Sequence, residues 1–178
     1  LSQPKPPLPF TPGLEVAGEV IEVADGVTTV AVGERVMGWV PWGGYATQAV
    51  MSDWAAIPIP HGMDFVTAAA FPIAYGTAFG ALSQRRVALT EGETLLVHGA
   101  AGGVGLAAVE IGKAMGAQVV ACAGTPEKLE LCTEHGADFT INYTTEPIRD
   151  RVKALVGGVD VVLDPVGGDA FSQSLRWT

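Results

Sequence analysis

A doubly wound parallel α/β sheet, preceded by part of an all-β domain, is the fold that this 178-residue sequence predicts. Three observations carry that expectation. From Thr94 onward, apolar strand-like runs alternate with helical segments four times. Before Pro60, short apolar runs are broken by Gly and Pro instead. Hydrophobic residues make up 48% of the chain and mean hydropathy is +0.33, which suits strands buried on both faces.

The elements follow in order. Glu15–Val23, Arg35–Val40, Tyr45–Val50 and Ala55–Pro58 read as short strands, with Gly26, Gly33 and Gly43-Gly44 as turns. This is a piece of a barrel or sandwich, and Pro4, Pro6, Pro7 and Pro9 predict an extended lead-in to it. Asp64 can cap a helix over Phe65–Ala70, and Pro72 can start a second one running to about Val87. Then come a strand at Thr94–His98, a helix at Gly103–Met115, a strand at Gln118–Ala123 and a helix at Pro126–His135. Asp138–Asn142, Pro147–Leu155, Val159–Asp164 and Asp169–Arg176 continue the alternation. Gly116, Gly136 and Gly157 stand where helices stop. Four β-α repeats imply right-handed crossovers and a parallel sheet, here unfinished because the fourth helix runs to the last residues.

Composition excludes several roles. A formal net charge of -9 and a pI near 4.6 argue against nucleic-acid binding, which needs a basic footprint. Cys122 and Cys132 form neither a disulfide framework nor a CxxC pair, so both are expected to be reduced in a cytoplasmic core. The N-terminal LSQPKPPLPF has prolines where a signal peptide needs an apolar run. Phe65–Gln84 carries no charge and holds a Gly76-x-x-x-Gly80 pair. It is rich in Ala, Thr and Gly and contains Pro72, so a buried helix pair is expected there and not a membrane span.

The chemical signal is Leu95-Leu96-Val97-His98-Gly99-Ala100-Ala101-Gly102-Gly103-Val104-Gly105. It joins an apolar strand to a helix through a glycine-rich turn. Aligned on G-x-G-x-x-G, Ala100, Gly102 and Gly105 hold the three small positions. The second lets backbone approach a pyrophosphate, and the third lets the helix lie close on the strand. The first amides of the helix, from Gly103 and Val104 on, have no partner within it and face an anion with the helix dipole behind them. A strand before, a helix after and a second strand in place make dinucleotide binding the expected role.

The end of that second strand chooses the dinucleotide. An NAD site wants an acid there for the ribose hydroxyls, but the chain has Cys122-Ala123-Gly124-Thr125. Glu127 is already on the next helix, and Lys128 follows within one turn, where it can meet a 2′-phosphate. NADPH is therefore expected over NADH.

Four stretches together resemble the medium-chain dehydrogenases/reductases. They are Pro9–Val20 (PFTPGLEVAGEV), Ala69–Phe79 (AAFPIAYGTAF), Gly99–Gly105 and Asp160–Gly168 (DVVLDPVGG). The similarity is greatest to the zinc-free NADPH:quinone oxidoreductase, or zeta-crystallin-like, branch. It implies a partial GroES-like catalytic domain at 1–63, interdomain helices at 64–90 and a partial Rossmann NADP-binding domain at 91–178, with the active site in the cleft between domains. Zinc-dependent relatives carry a His in a G-H-E motif where this chain has Leu14, in Gly13-Leu14-Glu15, and leucine cannot ligate zinc. His61, His98 and His135 show no ligand spacing and are expected to be structural, so no metal is implied.

The resemblance also places residues. Lys128 and Tyr143 stand where that branch holds the 2′-phosphate, Thr77 where it approaches the nicotinamide, and Gly124 and Thr125 beside the adenosine ribose. Tyr45 and Thr77 are the cleft candidates, and no catalytic acid is singled out. The implied reaction is hydride transfer from NADPH to a quinone or an α,β-unsaturated carbonyl, with an enoyl-thioester reductase, including a synthase enoyl-reductase domain, or a non-catalytic NADPH-binding protein as the alternatives. The resemblance further implies a longer, cytoplasmic, homodimeric enzyme, of which these residues alone give no turnover and weak cofactor binding.

Overall fold

The computed structural model describes residue 6, residues 8–83 and residues 87–174. The chain forms two compact units, Leu1–Ile73 and Ala74–Thr178. Arg85, Arg86 and the expected helix end at Arg176 lie outside the described residues, as do Pro4 and Pro7 of the lead-in.

In the first unit β1 (Glu15–Glu19), β2 (Arg35–Trp39) and β3 (Ala56–Pro58) form an antiparallel sheet in the order β1-β2-β3. The β1–β2 register pairs Ala17 with Met37. Met37, Ile59 and Ala68 make its small core, with Ala17, Met63 and Phe71 packed against them. Asp64 caps α1 (Phe65–Ala69) by accepting from Thr67 N at 2.9 Å. The expected strand at Tyr45–Val50 does not form. Its apolar alternation is genuine, but a strand exists only when a neighbour takes its amides and carbonyls. Among the described residues none lies beside it, and Val50 is 96% exposed. Instead Gly13 and Gly44 cross so closely that a Cβ on Gly13 would stand 2.6 Å from Tyr45 N.

In α2 (Phe71–Leu82) the backbone amide of the third residue, Ile73, donates to Glu15 Oε1 at 2.7 Å. The carboxylate at a helix start is favoured by the dipole as well as by the bond.

The second unit is built on a parallel sheet of β4 (Thr94–Val97), β5 (Gln118–Ala123), β6 (Phe139–Asn142) and β7 (Val161–Leu163). Their order is β6-β5-β4-β7. Helices α3 (Gly103–Ala114), α4 (Pro126–Glu134) and α5 (Ile148–Val156) connect them, and α6 (Asp169–Ser174) follows β7. Alternation explains the apolar runs. Leu95, Val97, Val119 and Ala121 point to one face with Ala78, Leu82 and the α3 alanines, while Leu96, Val120 and Cys122 point to the other with Ile141 and Val152. Each fully buried Leu or Val on these faces contributes about 1.5–3 kcal/mol. Both cysteines are free and buried, and burial pushes the Cys122 thiol up to about 12 and the Cys132 thiol upward as well.

Asp138, just before β6, ties the helix layer to the sheet. It accepts from Lys113 Nζ at 2.8 Å and from Val119 N at 2.7 Å. Burial works to raise its carboxyl, but Lys113 and the Val119 amide outweigh it and hold the group below the ordinary 3.8. A depressed carboxyl stabilises fully above the unfolded value and loses that contribution as pH falls through the folded one. Urea unfolding of Asp138→Asn beside the parent, from about pH 5 down to about pH 2, should show the parent's advantage shrinking to nothing. An advantage independent of pH would contradict the ion pair's role.

Candidate cofactor-binding site

The strand order places the site. Chain order runs outward from β4 to β5 and β6 on one side and to β7 on the other, so the crevice beyond the carboxyl ends of β4 and β7 is the topological switch point. The glycine-rich loop occupies that position. β4 ends at Val97, and His98 N donates to Leu163 O of β7 at 3.0 Å. Ala100 N donates to Cys122 O of β5 at 3.0 Å, which fastens the loop to the sheet on its other side.

The left-handed residue of the turn is Gly99, at φ +57. Alignment had put the tight-turn position at Ala100, but Ala100 is fully buried and needs no positive φ. This is why an alanine is tolerated there. Gly99 is the loop residue that sequence reasoning left unassigned. Its signal was available, as a glycine directly after a strand. Gly102 is the N-cap of α3 and supplies no side chain to it. Leu106 N donates to Gly102 O at 2.8 Å, so helical geometry leaves the amides of Gly103, Val104 and Gly105 without an intrahelical acceptor. Gly102 and Gly103 are exposed, while Gly105 is buried against the backbone of Gly99 and Ala100. The start of α3 is thus an open cluster of donors at the positive end of a three-turn helix.

A second corner forms where β5 and β6 end. Thr125 caps α4, accepting from Lys128 N at 3.4 Å, and Pro126 occupies the first helical turn. The Glu127 carboxyl is held below its usual range by its own backbone amide and by the Thr125 hydroxyl. Tyr143 N donates to Ala123 O at 3.2 Å, and its hydroxyl lies 2.7 Å from where a Cβ on Gly124 would stand. Gly124 is therefore the one residue that leaves room for Tyr143 at this corner. Thr125, Lys128 and Tyr143 are all exposed.

Thr77, on α2, and Val104, in the first turn of α3, line the same cavity of about 260 Å³ together with Ala81, Leu82, Leu163 and Asp164. Tyr45 belongs to the first unit, where its side chain is 78% exposed. His98 is buried beneath the loop with Nε2 2.9 Å from Ser174 Oγ. Burial lowers its pKa, opposed by the charge of Asp164. His135 Nδ1 is 2.5 Å from Glu110 Oε1. Among the described residues no three His, Cys, Asp or Glu side chains gather into a metal-holding group, and no helix is long and apolar enough to cross a membrane.

Sheet order and loop define an α/β unit of the dinucleotide-binding kind, joined in one chain to an antiparallel β unit. Residues 2–61 match the family model described as alcohol dehydrogenase GroES-like domain, and residues 103–178 match that described as zinc-binding dehydrogenase. A quinone oxidoreductase-like protein 2 of Mus musculus is 42% identical over 177 residues, covering 98% of this chain and 50% of the relative. A homolog of that protein in Nematostella vectensis is 44% identical over 178 residues, covering 98% and 48%. Among solved structures, Escherichia coli quinone oxidoreductase complexed with NADPH superposes with a TM-score of 0.88 at 34% identity, covering 98% of this chain and 54% of that one. CurK enoyl reductase superposes with a TM-score of 0.84 at 34% identity, covering 94% and 51%. The chain belongs to the medium-chain dehydrogenase/reductase superfamily, with its likeness on the quinone oxidoreductase side. It spans about half the length of the curated relatives it matches.

Proposed function

We propose that this chain binds NADPH and serves an oxidoreductase that passes hydride to a quinone or an α,β-unsaturated carbonyl without zinc. The observation that carries the proposal is the open start of α3 at the switch point of the sheet, with no acid at the end of β5 itself, Lys128 in the first turn of α4 and Tyr143 directly after β6. The residues present fit the cofactor. A Cβ on Gly103 would meet nothing closer than Ala74 Cβ at 3.9 Å, so a pyrophosphate can approach the backbone there. The amides of Gly103, Val104 and Gly105 donate to its oxygens, and Gly99 and Ala100 shape the turn beneath it. Gly124 and Thr125 flank the adenosine ribose, and Lys128 with Tyr143 supplies a cation and a hydroxyl for the 2′-phosphate. Thr77 shares a cavity with Val104, which supports a place near the nicotinamide end.

Bound NADPH supplies the hydride, and the protein supplies position and electrostatics. An acceptor conjugated to a carbonyl spreads the incoming negative charge onto oxygen. Hydrogen-bond donors then suffice to polarise it, which agrees with Leu14 standing where zinc-dependent relatives place a histidine. Tyr45 and Thr77 are the candidates for substrate contact. An enoyl thioester presents the same conjugated carbonyl, and the likeness to CurK enoyl reductase supports that second reading. By resemblance, the whole protein is proposed to act as a cytoplasmic homodimer.

Titrating NADPH and NADH into the full-length protein, followed by NADPH oxidation with quinones and with enoyl thioesters, tests the assignment. NADPH should bind more tightly than NADH, and quinones or simple enones should be consumed faster than thioesters. Equal or tighter NADH binding refutes the cofactor choice. Tight NADPH binding with no acceptor consumed points to a non-catalytic binder.

A further inference from the structure

Glu110 closes the second turn of α3, and both of its carboxylate oxygens are engaged by other helices. Oε1 is 2.5 Å from Nδ1 of His135, the C-cap of α4. Oε2 accepts from the phenolic hydroxyl of Tyr75, on α2. Glu110 and His135 are each two-thirds withdrawn from water, with side-chain exposures of 35% and 34%. Bonds to an ionised carboxylate in such a setting are stronger than neutral ones. The bond to Glu110, with burial behind it, pushes the Tyr75 phenol up to about 12, so it keeps its proton and donates throughout the neutral range.

The three helices joined here carry the contacts assigned above. Tyr75 is two residues before Thr77 on α2. His135 is two turns beyond Lys128 on α4. Glu110 itself is on the helix whose first amides face the pyrophosphate. Where α2 passes the first residue of α3, a Cβ on Gly103 would meet Ala74 Cβ at 3.9 Å. Two such small residues allow close approach and contribute little interlocking surface at that point. A carboxylate held from two sides is directional.

We propose that Glu110 is a positioning residue of the cofactor site, locking α2 and α4 onto α3 so that Thr77 and Lys128 keep fixed places relative to the start of α3. The inference rests on the NADPH assignment above. Its two arms have different signatures. Lys128 serves only the phosphorylated cofactor, whereas Thr77 serves both.

The test is the binding of NADPH and NADH to His135→Ala, Tyr75→Phe and Glu110→Gln in the full-length protein, with thermal unfolding recorded for each. His135→Ala should raise the NADPH Kd roughly three- to tenfold and move the NADH Kd less than about twofold. Tyr75→Phe should raise both Kd values by a similar factor. Glu110→Gln should retain most of the parent's binding, because its amide oxygen can accept from His135 while its NH2 donates to Tyr75. Lowered melting temperatures with both Kd values unchanged would reduce Glu110 to a stabilising contact and overturn the proposal. A parent protein that binds neither cofactor would instead remove the NADPH assignment itself.

Discussion

Gly105→Ala is expected to destabilise the protein by about 3 kcal/mol and to abolish NADPH binding by whatever stays folded. The added methyl would overlap the carbonyl oxygen of Gly99 and stand 2.7 Å from the Cα and O of Ala100. These are backbone atoms, so no rotamer change can relieve the clash. The loop is also bound to the sheet at Ala100 N, so it cannot retreat without breaking its bond to Cys122 O. Either α3 lifts from β4 or the loop opens, and both disturb the donors at the start of the helix. Gly103→Ala is the internal control. Its methyl meets only Ala74 Cβ at 3.9 Å, so stability should move by less than about 0.5 kcal/mol. Urea unfolding of the two variants beside the parent decides the matter. Equal midpoints for all three would mean that the loop is not pinned.

Lys128→Glu should raise the NADPH Kd by roughly 50- to 100-fold while leaving the NADH Kd within about twofold. In the proposed assignment the substitution replaces a cation that would face the 2′-phosphate with an anion, and the electrostatic contribution changes sign. It should not harm the fold, which makes it informative. Position 128 is the third residue of α4, where a carboxylate is favoured by the dipole. With Thr125 at the N-cap it also completes a Thr-x-x-Glu capping box, worth a few tenths of a kcal/mol in the other direction. A variant as stable as the parent, or more so, and selectively deficient in NADPH is the expected outcome. Loss of both cofactors alike would place the 2′-phosphate elsewhere.

The parallel sheet was legible because its strands are runs of apolar residues, and β5, β6 and β7 each follow a helix that stops at a glycine, Gly116, Gly136 and Gly157. Gln118–Ala123 was read to the residue for that reason, and most of its neighbours to within one or two. Tyr45–Val50 was misread because alternation records only that a segment could be half-buried. Whether a partner strand is there is a long-range fact. The loop was located by its glycines, yet Gly99 was passed over in favour of Ala100. A regular expression counts small residues, whereas the chain needs one positive φ, and it sits one residue earlier. The cluster of Tyr75, Glu110 and His135 was invisible for a further reason. Its members are separated by 35 and 25 residues, and nothing in the local pattern of any of them announces the others.

The two cysteines bear on the chemistry in a way their packing alone does not suggest. Quinones and enones are alkylating agents, and a soft sulfur anion is the side chain they capture first. The two cysteine sulfurs, on β5 and α4, are both buried, and that of Cys122 is kept protonated far above neutral pH. Neither cysteine of this chain therefore offers the proposed substrates an exposed thiolate.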